Sequence, residues 1–303
     1  MTPINRFSAA AVVSGLLAAL AYVAFVHTAT GQSIENLALR GARQELEFVE
    51  QEALLELSGI SMAAFAIAIA VVMAIALLRR KPRLAVTAAV IMGSSVVIAE
   101  IAKHLLPRPE LVEAPPGWLH NSAPSGHVTI AVAIGIGAII VAPYAFRWLV
   151  TIAAAFYAAG ISMDVATAGW HRLSGAISAT LLVIAVACVG LVVLARLGRV
   201  APFPDRRLLG AIVATVVLGI TAVGIGGVGL VFGYARLLPI PEQPTPDQAM
   251  LAYSSTLLAA FGVITAAVLV FLWLIRPYGI DERVGTREPM AADPSAEAVT
   301  TTR

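Results

Sequence analysis

The sequence predicts an all-α protein, a polytopic bundle of transmembrane helices, on three observations. Hydrophobic residues make up 59% of the 303-residue chain and charged residues only 13%, with a mean hydropathy of +0.88; soluble domains carry about 25% charged residues. The apolar residues gather into eight runs of the ~20 residues needed to cross a hydrocarbon core, at roughly 8–28, 58–78, 84–106, 127–146, 149–167, 173–195, 208–235 and 252–275. Charged residues collect between these runs. The net charge of +2 and the lack of an Arg/Lys-rich run with interleaved aromatics give no sign of a nucleic-acid partner. The single cysteine, Cys188, has no second thiol to pair with and alone makes no metal site.

Taken in order, the first run is longer than the ~7–15 residues of a signal-peptide core and no small-x-small cleavage site follows it, so an uncleaved first helix is expected. Segment 29–57 is acidic, with Glu45, Glu47, Glu50, Glu52 and Glu56. Leu39, Ala42, Leu46, Val49, Ala53 and Leu57 recur at helical spacing. They predict an amphipathic helix outside the membrane, on its surface or over a site; a solvated helix covering the bundle fits the pattern equally. The basic, proline-containing stretch 197–207 is expected to be a cytoplasmic linker. It divides a six-helix core over 1–196, which holds every motif, from a two-helix appendix over 208–276. Residues 277–303, rich in Ala, Glu, Thr and Pro, are expected to form a disordered cytoplasmic tail.

Charge sets the orientation. With a cytoplasmic N-terminus and alternating runs, the 20 Lys and Arg residues divide 14 inside to 6 outside, as the positive-inside rule requires. Three of the six outer cations are Lys103, Arg108 and Arg172. They belong to the first and third of three clusters at the ends of apolar runs: Lys103 to Pro109, Pro124 to His127, and Gly169 to Arg172. Both termini are then cytoplasmic and all three clusters extracytoplasmic.

These residue types suit a phosphate ester. Arg grips two oxygens at once and Lys acts as a point charge. A histidine pKa near ~6.5 lets one imidazole be neutral and another protonated. Ser125 and the Gly126 N–H stand where a helix begins, and helix N-termini bind anions. Each residue also has a plainer role. His127 can cap a helix start, Lys103 can pair with Glu100 one turn earlier, and Trp170 can anchor at an interface.

On these motifs the chain resembles the type 2 phosphatidic acid phosphatase superfamily of membrane lipid phosphatases, most clearly over 58–196. That family's pattern is Lys then Arg-Pro, Pro-Ser-Gly-His, and Ser-Arg-x5-His-x3-Asp. Pro124 to His127 match the middle motif in full. Lys103 and Arg108-Pro109 match the first in type, with four intervening residues where six are usual. In the third, His171 matches, but Asp164-Val165 stand at the Ser-Arg positions and Gly175 at the Asp position. The resemblance implies metal-independent hydrolysis of an anionic lipid without a cofactor. His171 would be the nucleophile and His127 the acid, and Lys103, Arg108, Ser125 and Gly126 would hold the phosphate. Arg172 would stand in for the missing arginine, and Asp164, seven residues before His171, for the missing aspartate. The alternative is a degenerate, non-hydrolytic member that binds or moves an anionic phospholipid.

Overall fold

The computed structural model describes residues 1–114, 121–202, 209–241 and 243–281. Ten α-helices and a two-stranded ribbon follow in order: α1 Pro3–Val26, α2 Ala29–Ala42, α3 Glu47–Ser58, α4 Met62–Leu78, α5 Pro82–Leu105, α6 Gly126–Val141, α7 Arg147–Thr167, α8 Leu173–Arg196, β1 Val200–Pro202, α9 Leu209–Gly227, α10 Pro246–Ile275 and β2 Tyr278–Ile280. Each of the eight apolar runs is helical. Six helices are long and apolar enough to cross a membrane, α3 and α4 form a seventh candidate bent by 55°, and α6 is a shorter apolar helix. The protein is thus an all-α bundle of multi-pass membrane type.

Local chemistry explains the helix starts. Thr2, Thr28, Ser61 and Thr245 each accept a first-turn backbone N–H. Proline fills an early position of α1, α5 and α10, where no N–H partner is lost. Buried hydroxyls return to their own helix: Thr129 Oγ1 donates to the Ser125 carbonyl at 2.7 Å and Ser162 Oγ to Ala158 at 2.7 Å. That satisfies polar groups where lipid offers no partner. Exposed faces of α1, α4, α5 and α9 are apolar, with Leu16, Leu20, Ile67, Val90, Val217 and Ile220 outward. Helices α6 and α8 make the centre, with Ile136, Ile139, Ala187, Cys188 and Leu191 fully buried.

Three expectations change. Segment 29–57 is two helices, and α2 is not a surface helix: Gln32, Glu35 and Asn36 are buried. It lies against α10 so closely that a side chain at Gly41 would run into the Ala249 backbone. The 208–276 portion is not an appendix, because α10 packs along α7, α2 and α8. Finally, residues 278–280 of the expected disordered tail form β2, paired antiparallel with β1 of the expected linker, Val200 opposite Ile280. Residues 282–303 and 203–208 of those segments lie outside the described residues.

The ribbon marks one end of the bundle. Lys81 Nζ donates to the Ile280 carbonyl at 3.0 Å, Arg147 Nη1 to Tyr278 at 3.2 Å, and Arg79 to Val141. The end of α5 and the starts of α6 and α8 lie at the opposite end. Basic ties occupy one end and the three motif clusters the other.

Candidate anion site

Four segments meet at that opposite end. The first is the loop after α5, where Arg108 lies three residues beyond the helix. Gln32 of α2 clamps it, its Nε2 donating to the Pro109 carbonyl at 2.6 Å and its Oε1 accepting from the Leu111 N–H at 3.3 Å. Tyr22 donates to the Pro107 carbonyl. The shorter spacing from Lys103 therefore does bring Arg108 inward. Its side chain is only 5% exposed, so Arg108 is inside the site rather than at a rim.

The second segment leads into α6. Asn121 ties it to the end of α5, its Nδ2 donating to the Leu106 carbonyl at 3.0 Å. Ser125 caps α6 through its backbone and is fully buried, and its Oγ has no hydrogen-bond partner. A side chain built at Gly126 would meet nothing within 4 Å, so open space lies beside the first residue of α6. His127 follows, its ring 5.4 Å from that of Trp170. Trp170, expected as an interfacial anchor, also walls the site.

The third is the turn from α7 to α8. Gly169 has φ +66, the left-handed conformation that ends a helix. The Gly169 N–H returns to Ala166 and the Trp170 N–H to Val165, at 3.1 and 3.0 Å, in a Schellman closure. The chain reverses there and presents His171 toward His127, with ring centroids 6.5 Å apart. Two rings this close can both reach one phosphoryl group, which needs one nitrogen at a ~3–3.5 Å attack distance and another at a ~2.6–3.2 Å hydrogen bond.

His171 Nδ1 lies 2.9 Å from the Ser122 carbonyl. A carbonyl can only accept, so Nδ1 carries the hydrogen, and the neutral ring places its lone pair on Nε2. This overturns the role expected of Asp164. Asp164 instead faces α3, within electrostatic reach of Glu56 and Glu52. Gly175 explains the substitution: a Cβ there would sit 2.9 Å from the Ser122 oxygen. The Ser125 N–H also donates to the Gly175 carbonyl at 2.9 Å. The bare backbone at 175 lets the loop come close enough for its own carbonyl to orient the imidazole.

The fourth segment is α2, which sequence reasoning left outside the site. Glu35 is fully buried and accepts the Ser174 N–H at 3.1 Å, in the first turn of α8. Its other oxygen is 3.5 Å from Arg108 Nη1 and 3.9 Å from Arg172 Nε. Arg172 Nη2 also donates to Asn36 Oδ1 at 3.4 Å. Burial pushes the Glu35 carboxyl upward, while Ser174, Arg172 and Arg108 pull it down. Burial, and then Arg108, push the Arg172 guanidinium down to about 10, with Glu35 opposing; it stays charged at neutral pH. Glu35, His171, Arg172 and Thr256 of α10 share one small cavity.

Lys103 keeps both expected roles open. It is 3.5 Å from Glu100, which also takes His104 at 3.0 Å, and it lies within electrostatic reach of His127. Beside Pro124 opens an apolar slot of about 210 Å³, lined by Ala18, Tyr22, Ala102, Leu106 and Leu182. Among the described residues no group of three or more His, Cys, Asp or Glu could hold a metal ion.

Comparison with protein-family models, curated proteins and solved structures finds no match.

Proposed function

We propose that the protein is an integral-membrane phosphatase acting on a lipid phosphate or diphosphate at the extracytoplasmic face, with eight spans and both termini cytoplasmic. The observation that carries this reading is the pair His127 and His171, 6.5 Å apart, with the His171 hydrogen fixed on Nδ1 by a carbonyl. Nε2 of His171 attacks phosphorus. The bond from phosphorus to the lipid oxygen breaks, and that oxygen takes a proton from His127. His127, now neutral, removes a proton from water. The resulting hydroxide attacks the phosphohistidine, the N–P bond breaks, and orthophosphate leaves. Arg108, Arg172, Ser125 and the first N–H groups of α6 stabilise the charge that develops on the phosphoryl oxygens, and Lys103 adds a positive field. The apolar slot beside Pro124 gives a lipid chain a place next to these groups, which favours a lipid ester over a soluble one.

A second reading has its own support. The two arginines already hold a carboxylate, so a protein that binds an anionic head group without cleaving it would share this frame. Purified protein given a lipid phosphate in detergent, with metal added or chelated, separates the two. The phosphatase reading expects orthophosphate release under both conditions, abolished by His171→Ala and by His127→Ala. Lipid binding without release by the parent protein would replace it with the second reading.

A further inference from the structure

We propose that Glu35 is a built-in competitor for the anion site, a carboxylate of α2 that occupies the place a phosphoryl group must take. This rests on the reading above that the site receives a phosphate. The groups around Glu35 are those that bind phosphate: two guanidinium groups and an N–H from the first turn of α8. Among the described residues, both guanidinium groups face this one carboxylate. Arg108 Nη2 is buried with no hydrogen-bond partner, so the cradle holds a donor that Glu35 does not use.

Space makes the competition direct. The cavity shared by Glu35, His171 and Arg172 measures about 10 Å³, room for roughly one water. No phosphoryl group fits beside the carboxylate there. For an anion to bridge His171 and the arginines, the Glu35 side chain has to leave or α2 has to shift. Helix α2 is anchored at both ends of the problem: Gln32 clamps the Arg108 loop, and Asn36 holds Arg172. Displacing Glu35 therefore acts on both arginines together. A substrate reaches full contact only by outcompeting an internal ligand, which favours a doubly charged phosphate over a singly charged phosphodiester.

The opposite arrangement is that Glu35 is a buttress, holding the arginines for an anion that binds on their other side. The two differ in sign. An internal competitor that leaves the site open a tenth of the time or less weakens apparent affinity about tenfold or more. Removing it should tighten binding by that factor, whereas removing a buttress should weaken it.

The test measures binding of inorganic phosphate, and separately of a short-chain phosphatidate, to the full-length protein in detergent. Thermal shift or calorimetry gives Kd for the parent, Glu35→Gln, Glu35→Asp, Arg108→Gln and Glu35→Gln with Arg108→Gln. We expect Glu35→Gln to bind inorganic phosphate at least about tenfold tighter, with phosphate restoring heat stability the variant lacks without it. Glu35→Asp, with its carboxylate withdrawn by one methylene, should be intermediate, and it carries the test if Glu35→Gln fails to fold. The double variant should lose the gain. A gain confined to phosphatidate would mark the lipid head group, not free phosphate, as the competing anion. Unchanged or weaker binding in both Glu35 variants, beside parent binding that Arg108→Gln abolishes, overturns the competitor and leaves the phosphate reading intact. No binding by any form in either arm overturns both.

Discussion

Gly175 is where the structure makes its sharpest claim. The resemblance suggests that an aspartate at 175 would restore a missing group; the geometry predicts the reverse. A Cβ at 175 would lie 2.9 Å from the Ser122 oxygen and 3.7 Å from Ser125 Cβ. The obstacle is backbone, which cannot rotate aside, so Gly175→Ala should carry an overpacking cost of ~1–3 kcal/mol. Helix propensity favours alanine over glycine by ~0.8–1.0 kcal/mol, leaving a net loss of roughly 0–2 kcal/mol. Stability alone is thus a blunt readout. Function should respond more, because pushing the Ser122 carbonyl away releases His171 Nδ1. Loss of an orienting hydrogen bond of this kind typically costs ~10–100-fold in activity. Lipid-phosphate turnover of Gly175→Ala and Gly175→Asp, with kcat and KM separated, should show the loss in kcat and little change in KM. Equal or faster turnover in Gly175→Asp would refute the reasoning, since the aspartate would then be doing what the carbonyl was assigned to do.

Other outcomes follow from the same geometry. Asp164→Asn should leave kcat within about twofold of the parent, as assayed by phosphate release, because Asp164 faces Glu56 and not His171; a loss of ~10-fold or more would return the orienting role to it. Arg108→Ala should destabilise the protein by ~3–5 kcal/mol in thermal or denaturant unfolding, the usual cost of breaking one side of a buried pair, since it strips Glu35 of one of its two cationic partners; His104→Ala, on an exposed pair, should cost less than ~1 kcal/mol. Single cysteines introduced into a Cys188→Ser background should label from outside at the exposed positions 110–111 and not at 79–83, and the reverse pattern would contradict the assigned face.

The sequence made the bundle legible because an apolar helix announces itself by length and apolarity, with no need for partners. All eight runs are helices, and their ends bring Arg108, His127 and His171 to one place. Glu35 was hidden by a different physics. The face read through 29–57 followed Leu39, Ala42 and Leu46 across the break at Gln44–Leu46, and Leu46 is in fact 59% exposed. The usable signal was a polar one: Gln32, Glu35 and Asn36 at i, i+3 and i+4, set among small and apolar residues. Such a stripe reads as solvated until its cover is known, here the loop after α5 and the start of α8. The Ser122 carbonyl left no signal at all, because every residue carries a carbonyl and only the fold selects one. Likewise Asp164 lies seven residues from His171, but the Schellman turn at Gly169 breaks the helix between them, so a shared helical face could not form.

The central claim is that phosphorus passes through His171. The most direct measurement is rapid quenching into an alkaline denaturant with a lipid whose phosphate is radiolabelled, followed by peptide mapping at alkaline pH. A covalent label that is acid-labile and alkali-stable, mapped to His171 and absent from His171→Ala, is the predicted result. It should accumulate in His127→Ala if loss of the base slows hydrolysis of the intermediate more than its formation. Steady phosphate release with no label on the protein at any quench time, or release that persists in His171→Ala, would contradict the account.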